Sequence, residues 1–202
     1  MESKDAHADE AEFRAAGIFA APTMRFEREG KRPDGTTVKV AFSLTFAEDK
    51  TAPRIHFATC QQHYPENFWN PAFQKHANSA SGIAGVVAVA EQPERHAQFF
   101  TVFAGSPPTR ITGGFTIETP RGIIDMLTPV AFVQRFGVMA PDVSYGPRLA
   151  ALRFLVEDAS LLQGIPEQAG MAGVCAGNPT VIGLGDAIGA VLIFEAAPKK
   201  AR

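Results

Sequence analysis

The chain has 202 residues, 46% of them hydrophobic and 20% charged, and a formal net charge of −2. A chain of this length and composition can bury a substantial core in one large or two small domains. Its only basic run is the terminal Lys199–Arg202, so the charge distribution argues against nucleic acid as a partner. The sequence has no recognisable secretory signal and no apolar run of spanning length, which argues against a membrane partner.

The two cysteines, Cys60 and Cys175, lie far apart and do not follow the Cys-x-x-Cys spacing of metal or redox sites. Two reduced thiols in a cytoplasmic protein are the simplest interpretation. A disulfide between the two residues is the alternative.

The first 61 residues predict one helix followed by strands. Asp5 is a suitable N-cap for a helix that ends at Gly17. Residues 38–46 alternate between apolar and polar side chains, which predicts a strand with one buried face. A Gly-Lys-Arg-Pro-Asp-Gly turn joins this strand to a preceding one at 24–29, and residues 54–61 form a third.

A similar order of elements follows twice more. The second round has a strand at 82–90, a helix from Pro93 to Gly105, strands at 109–118 and 122–127, and a short helix at 129–136. The third has a strand at 149–157, a helix from Asp158 to Gly170 that Pro166 interrupts, and strands at 171–175, 181–184 and 190–196. Three rounds of about 50 residues indicate an internal repeat of supersecondary modules.

The repeat predicts an α+β fold in which βαβββ modules pair into a cupped mixed sheet, with helices on its convex side and a hollow for a ligand. We divide the chain into a first module at 1–61, a connecting segment at 62–81, paired modules at 82–136 and 147–196, and a tail at 197–202.

The first module begins directly with its helix, so we expect its opening strand to be absent. On this view the chain begins internally relative to longer relatives. A second copy of the chain would then cover the exposed sheet edge, which predicts a homodimer.

The segment Cys60–His76 contains the only Trp of the chain together with a Tyr, two His, a Cys and a Glu. Long connections with such side chains are common binding sites. We therefore expect a ligand to contact Cys60, Gln61, Tyr64, Trp69 and His76, together with Phe115 from the second module. The alternative is that Phe68, Trp69 and Phe73 only fill the joint between two sheets.

His63 and Glu66 are the best candidates for acid–base chemistry. They lie three residues apart in a predicted turn, and a carboxylate beside an imidazole orients it and raises its pKa. A thiolate–imidazole pair between Cys60 and His63 is an alternative. His7 and His96 are expected on solvated helix surfaces.

The repeated βαβββ module resembles the vicinal oxygen chelate superfamily, which holds glyoxalase I, extradiol dioxygenases and bleomycin-resistance proteins. The connecting segment is similar to that of glyoxalase-like domain proteins, in which a strand ends in Cys-Gln-x-His-x-Pro-Glu and a Trp and a His follow. The matching residues are Cys60, Gln61, His63, Pro65, Glu66, Trp69 and His76, with further support from Pro33-Asp34-Gly35 and Leu127-Thr128-Pro129.

The resemblance also implies where a divalent metal would bind, since enzymes of the superfamily use His and Glu from the first and last strands of paired modules. The first-strand positions fall near Gly85 and Ala151, without a His, and the last strand of the second module offers Met126 and Leu127. Only Glu195 is suitable. A metal site would need His56, His63 or His76 to converge on Glu195 or Glu66, so we expect no cofactor.

Two main hypotheses for function follow. In the first, the cup binds a small oxygen-bearing or aromatic molecule without a metal, by stacking on Phe115, Trp69 and Tyr64. The alternative is a divalent-metal-dependent lyase or dioxygenase of the same superfamily, in which His63, Glu66 and Glu195 carry the chemistry. An inactive scaffold is the third possibility.

Overall fold

The computed structural model describes residues 1–162, 174–175, 179–183 and 189–197. The predictions made for Pro166, Gly170, residues 171–173, the Cys175 side chain, Leu184 and residues 198–202 lie outside this part of the chain. Within the described ranges no helix is long and apolar enough to cross a membrane.

The described elements alternate in the order that the repeat predicts. The strands are β1 (Glu2–Ser3), β2 (Phe19–Lys31), β3 (Thr37–Ala47), β4 (Phe57–Gln62), β5 (Ala80–Val89), β6 (Thr109–Ile111), β7 (Gly114–Thr119), β8 (Gly122–Leu127), β9 (Arg148–Val156), β10 (Val174–Cys175), β11 (Thr180–Ile182) and β12 (Val191–Ala196). The α-helices are α1 (Ala6–Ala16), α2 (Pro65–Phe68), α3 (Ala97–Ala104) and α4 (Pro129–Phe136), with 3-10 turns at Pro71–Phe73, Pro93–His96 and Ala159–Leu162.

The first module forms a four-stranded sheet in the order β1-β4-β3-β2. Strand β3 is antiparallel to both β2 and β4. Strand β1 is parallel to β4, with Glu2 opposite Cys60 and Ser3 opposite Gln61. The prediction that this module lacks its opening strand is therefore wrong, because the strand is present and two residues long.

The other two modules share an eight-stranded sheet in the order β10-β11-β12-β9-β5-β8-β7-β6. Each module places its first strand parallel to its last, β5 beside β8 and β9 beside β12. The two first strands, β5 and β9, pair in antiparallel orientation at the centre, where Gly85 lies opposite Arg153. This topology confirms the predicted fold class of paired βαβββ modules in a cupped mixed sheet.

Helices α1 and α3 lie between the two sheets. Phe57 of β4 packs against Phe99, Phe100 and Phe103 of α3, with ring centroids 4.6, 5.5 and 5.3 Å apart. Phe13 of α1 lies 6.0 Å from Phe103. Burial of these rings joins the first module to the convex side of the eight-stranded sheet.

Helix α4 lies on the opposite face of the eight-stranded sheet from α3. Thr128 caps its first turn by accepting a hydrogen bond from the Ala131 amide at 3.2 Å. Phe132 and Phe136 of this helix are buried against apolar side chains of the sheet, which include Val87, Val89, Leu127, Ala151 and Ile193. The helix therefore fills the apolar part of this face. The sequence predicts an open hollow there.

A buried hydrogen-bonded pair, Asp49 and His96, ties the β3–β4 connection to the turn that precedes α3. His96 is buried, which corrects the expectation of a solvated surface position, and its Nδ1 lies 2.6 Å from Oδ2 of Asp49. Thr51 donates to Oδ1 of the same carboxylate at 2.7 Å. Burial alone would raise the pKa of Asp49, but the hydrogen bonds from His96 and Thr51 outweigh it and hold the pKa below its usual range.

The Asp49→Ala variant is expected to lose about 1–3 kcal/mol of unfolding free energy, because His96 is left buried without its acceptor. Urea unfolding followed by circular dichroism measures the loss. Asp34→Ala is the control, since that carboxylate accepts from the Thr36 amide in an exposed turn. Equal losses in the two variants would contradict a structural role for the Asp49–His96 pair.

Candidate functional site

One hollow of the eight-stranded sheet lies on the α4 face, beyond the part that the helix fills. Its volume is about 430 Å³. Strands β6, β7, β8 and β9 and helix α4 supply its lining, which consists of Ile111, Thr112, Thr116, Ile123, Asp125, Arg135 and Arg153. A hollow of this size is large enough for a small organic molecule.

The sheet register brings three charged side chains to this face. Asp125 of β8 lies opposite Thr116 and Val87 on the neighbouring strands. Arg153 of β9 donates from Nη1 to Asp125 Oδ2 at 2.7 Å. Its Nε and Nη2 donate to the two carboxylate oxygens of Glu195 on β12, at 2.6 and 3.0 Å. One guanidinium thus bridges the last strands of both modules.

A second arginine contacts the same network. Nη1 of Arg135, on α4, lies 3.2 Å from Asp125 Oδ2. Asp125 and Arg153 are buried, whereas Arg135 is exposed at the edge of the hollow. Burial alone would lower the pKa of Arg153, but Glu195 and Asp125 outweigh it and raise the pKa, so Arg153 is a permanent cation.

These side chains do not fit a catalytic divalent metal, which needs about three protein ligands and an open position. Both carboxylates already bind Arg153. Across the described ranges, no three His, Cys, Asp or Glu side chains come together to hold a metal ion.

The structure separates the three predicted catalytic residues. Glu195 lies in the network beside the hollow. His63 lies on the first module, where its Nε2 is 2.8 Å from both Ser43 Oγ and Arg25 Nη1. Glu66 is exposed in the first turn of α2. No hydrogen bond or ion pair between described residues joins His63 to Glu66, so the two do not form the predicted contact, and a catalytic role for either residue stays a prediction.

The contacts of His63 also reverse its predicted pKa shift. Burial and, after it, the positive charge of Arg25 lower the pKa of His63. Since a guanidinium only donates, Nε2 accepts from Arg25 and the neutral ring carries its proton on Nδ1.

The Arg25→Ala variant is expected to raise the pKa of His63 toward its ordinary value, as followed by NMR titration of the ring protons. In the native chain the lowered pKa makes the unfolded state take up the proton first, so stability falls as the pH drops below about 6.5. Arg28→Ala is the control, because Arg28 donates to the carbonyl of Glu29 and makes no hydrogen bond with His63 among the residues that the structure describes. Identical His63 titrations in Arg25→Ala and the native chain would contradict the assignment.

Cys60, Gln61 and Tyr64 are predicted to contact a ligand. In the structure their side chains lie against other residues of the first module. Cys60 is a half-buried free thiol on β4, opposite Leu44. Gln61 accepts from the Ala6 amide at 3.2 Å and donates to the Lys4 carbonyl at 2.8 Å, which fixes the start of α1. The Tyr64 ring lies 6.0 Å from Lys39 Nζ.

The remaining predicted contacts also lie away from the hollow. Trp69 is exposed, between Phe68 at 5.3 Å and Arg121 at 5.5 Å, and His76 is exposed. Phe115 is buried against Phe100 in the core of the α3 face. The prediction that Phe115 lines the cup is wrong, because its side chain points to the convex side.

Sequence reasoning missed Asp125 and Arg153. The signal that could have identified them is a single charge inside an apolar strand: Asp125 lies in Ile-Ile-Asp-Met-Leu, and Arg153 in Leu-Ala-Ala-Leu-Arg-Phe-Leu-Val. A charge at such a position needs a buried partner.

Two paired βαβββ modules in one mixed sheet define the fold class of the chain. More particularly, the chain belongs to the glyoxalase-like domain family, whose model matches residues 1–102. No curated protein matches the chain.

Several solved structures are similar. A hypothetical protein from Staphylococcus aureus shares 9% identity with a TM-score of 0.62, covering 97% of this chain and 64% of its own length. Methylmalonyl-CoA epimerase from Mycobacterium tuberculosis shares 16% identity with a TM-score of 0.44, covering 62% and 94%. A glyoxalase/bleomycin resistance protein/dioxygenase from Nocardioides shares 16% identity with a TM-score of 0.28, covering 68% and 96%. The first likeness shows a shared fold and nothing about function.

Proposed function

We propose that the hollow on the α4 face binds a small oxygen-bearing molecule, aliphatic or aromatic, without a metal. The observation that carries this proposal is the convergence of Arg153, Arg135 and Asp125 on one open hollow with apolar walls at Ile111 and Ile123. Guanidinium N–H groups would bind carboxylate, phenolate or carbonyl oxygens of the ligand. The apolar walls would contact its carbon atoms.

Both arginines keep donors for such a ligand. A guanidinium has five N–H groups, and Arg153 uses three of its nitrogens for Glu195 and Asp125 with one hydrogen bond each. Two N–H groups of Arg153 therefore have no partner among the described residues. Arg135 contacts Asp125 through one nitrogen and is 41% exposed, with its guanidinium 5.2 Å from the ring centroid of Phe136.

A divalent-metal-dependent lyase or dioxygenase is the less well supported alternative. It would need Asp125 and Glu195 as ligands, and both are bonded to Arg153. His63 and Glu66, the other groups that the sequence suggests for such chemistry, lie on the first module and on the connecting segment.

The test uses catechol, benzoate and lactate as probes in amide NMR spectra of the full chain. At least one probe is expected to shift amides of β7, β8 and β9 around the hollow. The Thr116→Phe variant fills the hollow and is expected to abolish these shifts. Arg110→Phe is the control, because Arg110 is exposed on β6 opposite Phe115, on the other face of the sheet, and this variant is expected to retain the shifts. Shifts that survive Thr116→Phe, or no shifts with any probe, would count against the proposal.

We also propose that the chain forms a homodimer in the cytoplasm. Support for the dimer comes from the face of the four-stranded sheet that points away from α1, where the rings of Phe26, Phe42, Phe68 and Trp69 form a chain of contacts. Phe26, Phe68 and Trp69 are exposed there, and exposed apolar patches often mark interfaces. Light scattering should give twice the mass of one chain and half that value for Phe26→Asp, while a monomeric native chain would contradict the dimer.

A further inference from the structure

The two carboxylates beside the hollow lie on the strands from which the resemblance predicts metal ligands. Asp125 is on β8 and Glu195 on β12, the last strands of the paired modules. The side chain that joins them belongs to Arg153 on β9. We propose that the Arg153 guanidinium takes the place of a divalent cation, and that removing it would open a metal site between Asp125 and Glu195.

The charges of the network support this replacement. Asp125 and Glu195 together carry two negative charges, and Arg153 and Arg135 together carry two positive charges. Asp125 is buried and Glu195 is 23% exposed. Two carboxylates in such a site need compensation, since like charges repel each other more strongly where solvation is poor. A divalent ion added to the native network would meet a guanidinium that already occupies both carboxylates. Arginine and metal therefore exclude each other here.

Arg153 is the cation that bridges the two carboxylates, and its neighbour on β5 is a glycine. Gly85 lies directly opposite Arg153 on the neighbouring strand. A Cβ at Gly85 would lie too close to the backbone oxygen of Ile123, so the opposite strand offers no side chain to this site. With histidine at 153, the imidazole and the carboxylates of Asp125 and Glu195 would make a three-ligand set, with Arg135 still 3.2 Å from Asp125 Oδ2.

The test is calorimetric titration of the full chain with Mn²⁺ and Zn²⁺, with Co²⁺ absorption as a second readout. The native chain is expected to show no saturable binding at this site. Arg153→His is expected to bind one ion per chain, with an affinity raised about a hundredfold or more over the native chain, the scale on which metal-site residues act. Bound metal should also raise the thermal midpoint of this variant.

Two matched variants locate the effect. Arg153→Lys keeps a cation and is expected to stay without metal, and adding Glu195→Gln to Arg153→His is expected to abolish the gained binding. If Arg153→His does not fold, Arg153→Gln is used in its place and is also expected to bind Mn²⁺ more tightly than the native chain.

Two results would overturn the inference. One is stoichiometric metal in the native chain that Glu195→Gln removes, and the other is a folded Arg153→His that binds metal no more tightly than the native chain. The inference does not rest on the proposed function, because its readout is the metal alone.

Discussion

The Arg153→Met variant is expected to lose about 3 kcal/mol or more of unfolding free energy, because removing one partner of a buried ion pair leaves the other charges uncompensated. The side chains of Arg153 and Asp125 are 9% and 2% exposed. Glu195 is 23% exposed, so water reduces its share of the loss. A fully buried pair would cost about 3–5 kcal/mol, so we expect a loss near the lower end of this range.

Urea unfolding followed by circular dichroism measures this loss. Arg135→Met is the matched control and should cost less, since its side chain is 41% exposed. The triple variant with Asp125→Asn and Glu195→Gln should recover part of the stability, because it removes the uncompensated charges as well. A loss for Arg153→Met within about 0.5 kcal/mol, as at ordinary surface positions, would contradict a buried network.

The Phe132→Ala variant is expected to lose about 3–5 kcal/mol, the usual cost of removing a fully buried aromatic ring. Phe132 is 0% exposed and packs on Phe136 at 5.1 Å between ring centroids. Its removal should leave an apolar cavity between α4 and the sheet. Such cavities stay dry and bind benzene, so added benzene should restore part of the lost stability.

The control for this variant lies on the same helix. Val130→Ala removes an apolar side chain that is 65% exposed, and its expected effect is within about 0.5 kcal/mol. Equal losses for Phe132→Ala and Val130→Ala would mean that α4 does not fill the apolar part of the cup.

Local signals in the sequence predicted most of the fold. Asp5 and Gly17 bound a helix as expected, the first through hydrogen bonds from two amides and the second with a left-handed φ of 72°. The alternation at 38–46 became β3. Strand β1 was missed because two residues carry no periodicity, and their strand character comes from parallel pairing with β4. The position of α4 was missed because a helical pattern does not specify which face the helix covers.

The site was less predictable for a related reason. In a strand, a shift of one residue reverses the face of every side chain. Taking Met126 and Leu127 as the candidate positions on β8 therefore missed Asp125, and Phe115 was assigned to the face opposite from the one it occupies. Glu195 was among the candidates because its strand was placed correctly, and the structure places it against Arg153. Arg153, the partner of Glu195, was missed because metal ligands are His, Cys, Asp and Glu side chains. An arginine in place of the metal ion does not belong to that set.

Metal analysis of the native protein, purified without chelators, tests the central claim most directly. With Arg153 as the resident cation, inductively coupled plasma mass spectrometry should find far less than one Zn, Fe, Mn, Co or Ni ion per chain. One tightly held ion per chain, lost on Glu195→Gln, would show that the hollow is a metal centre.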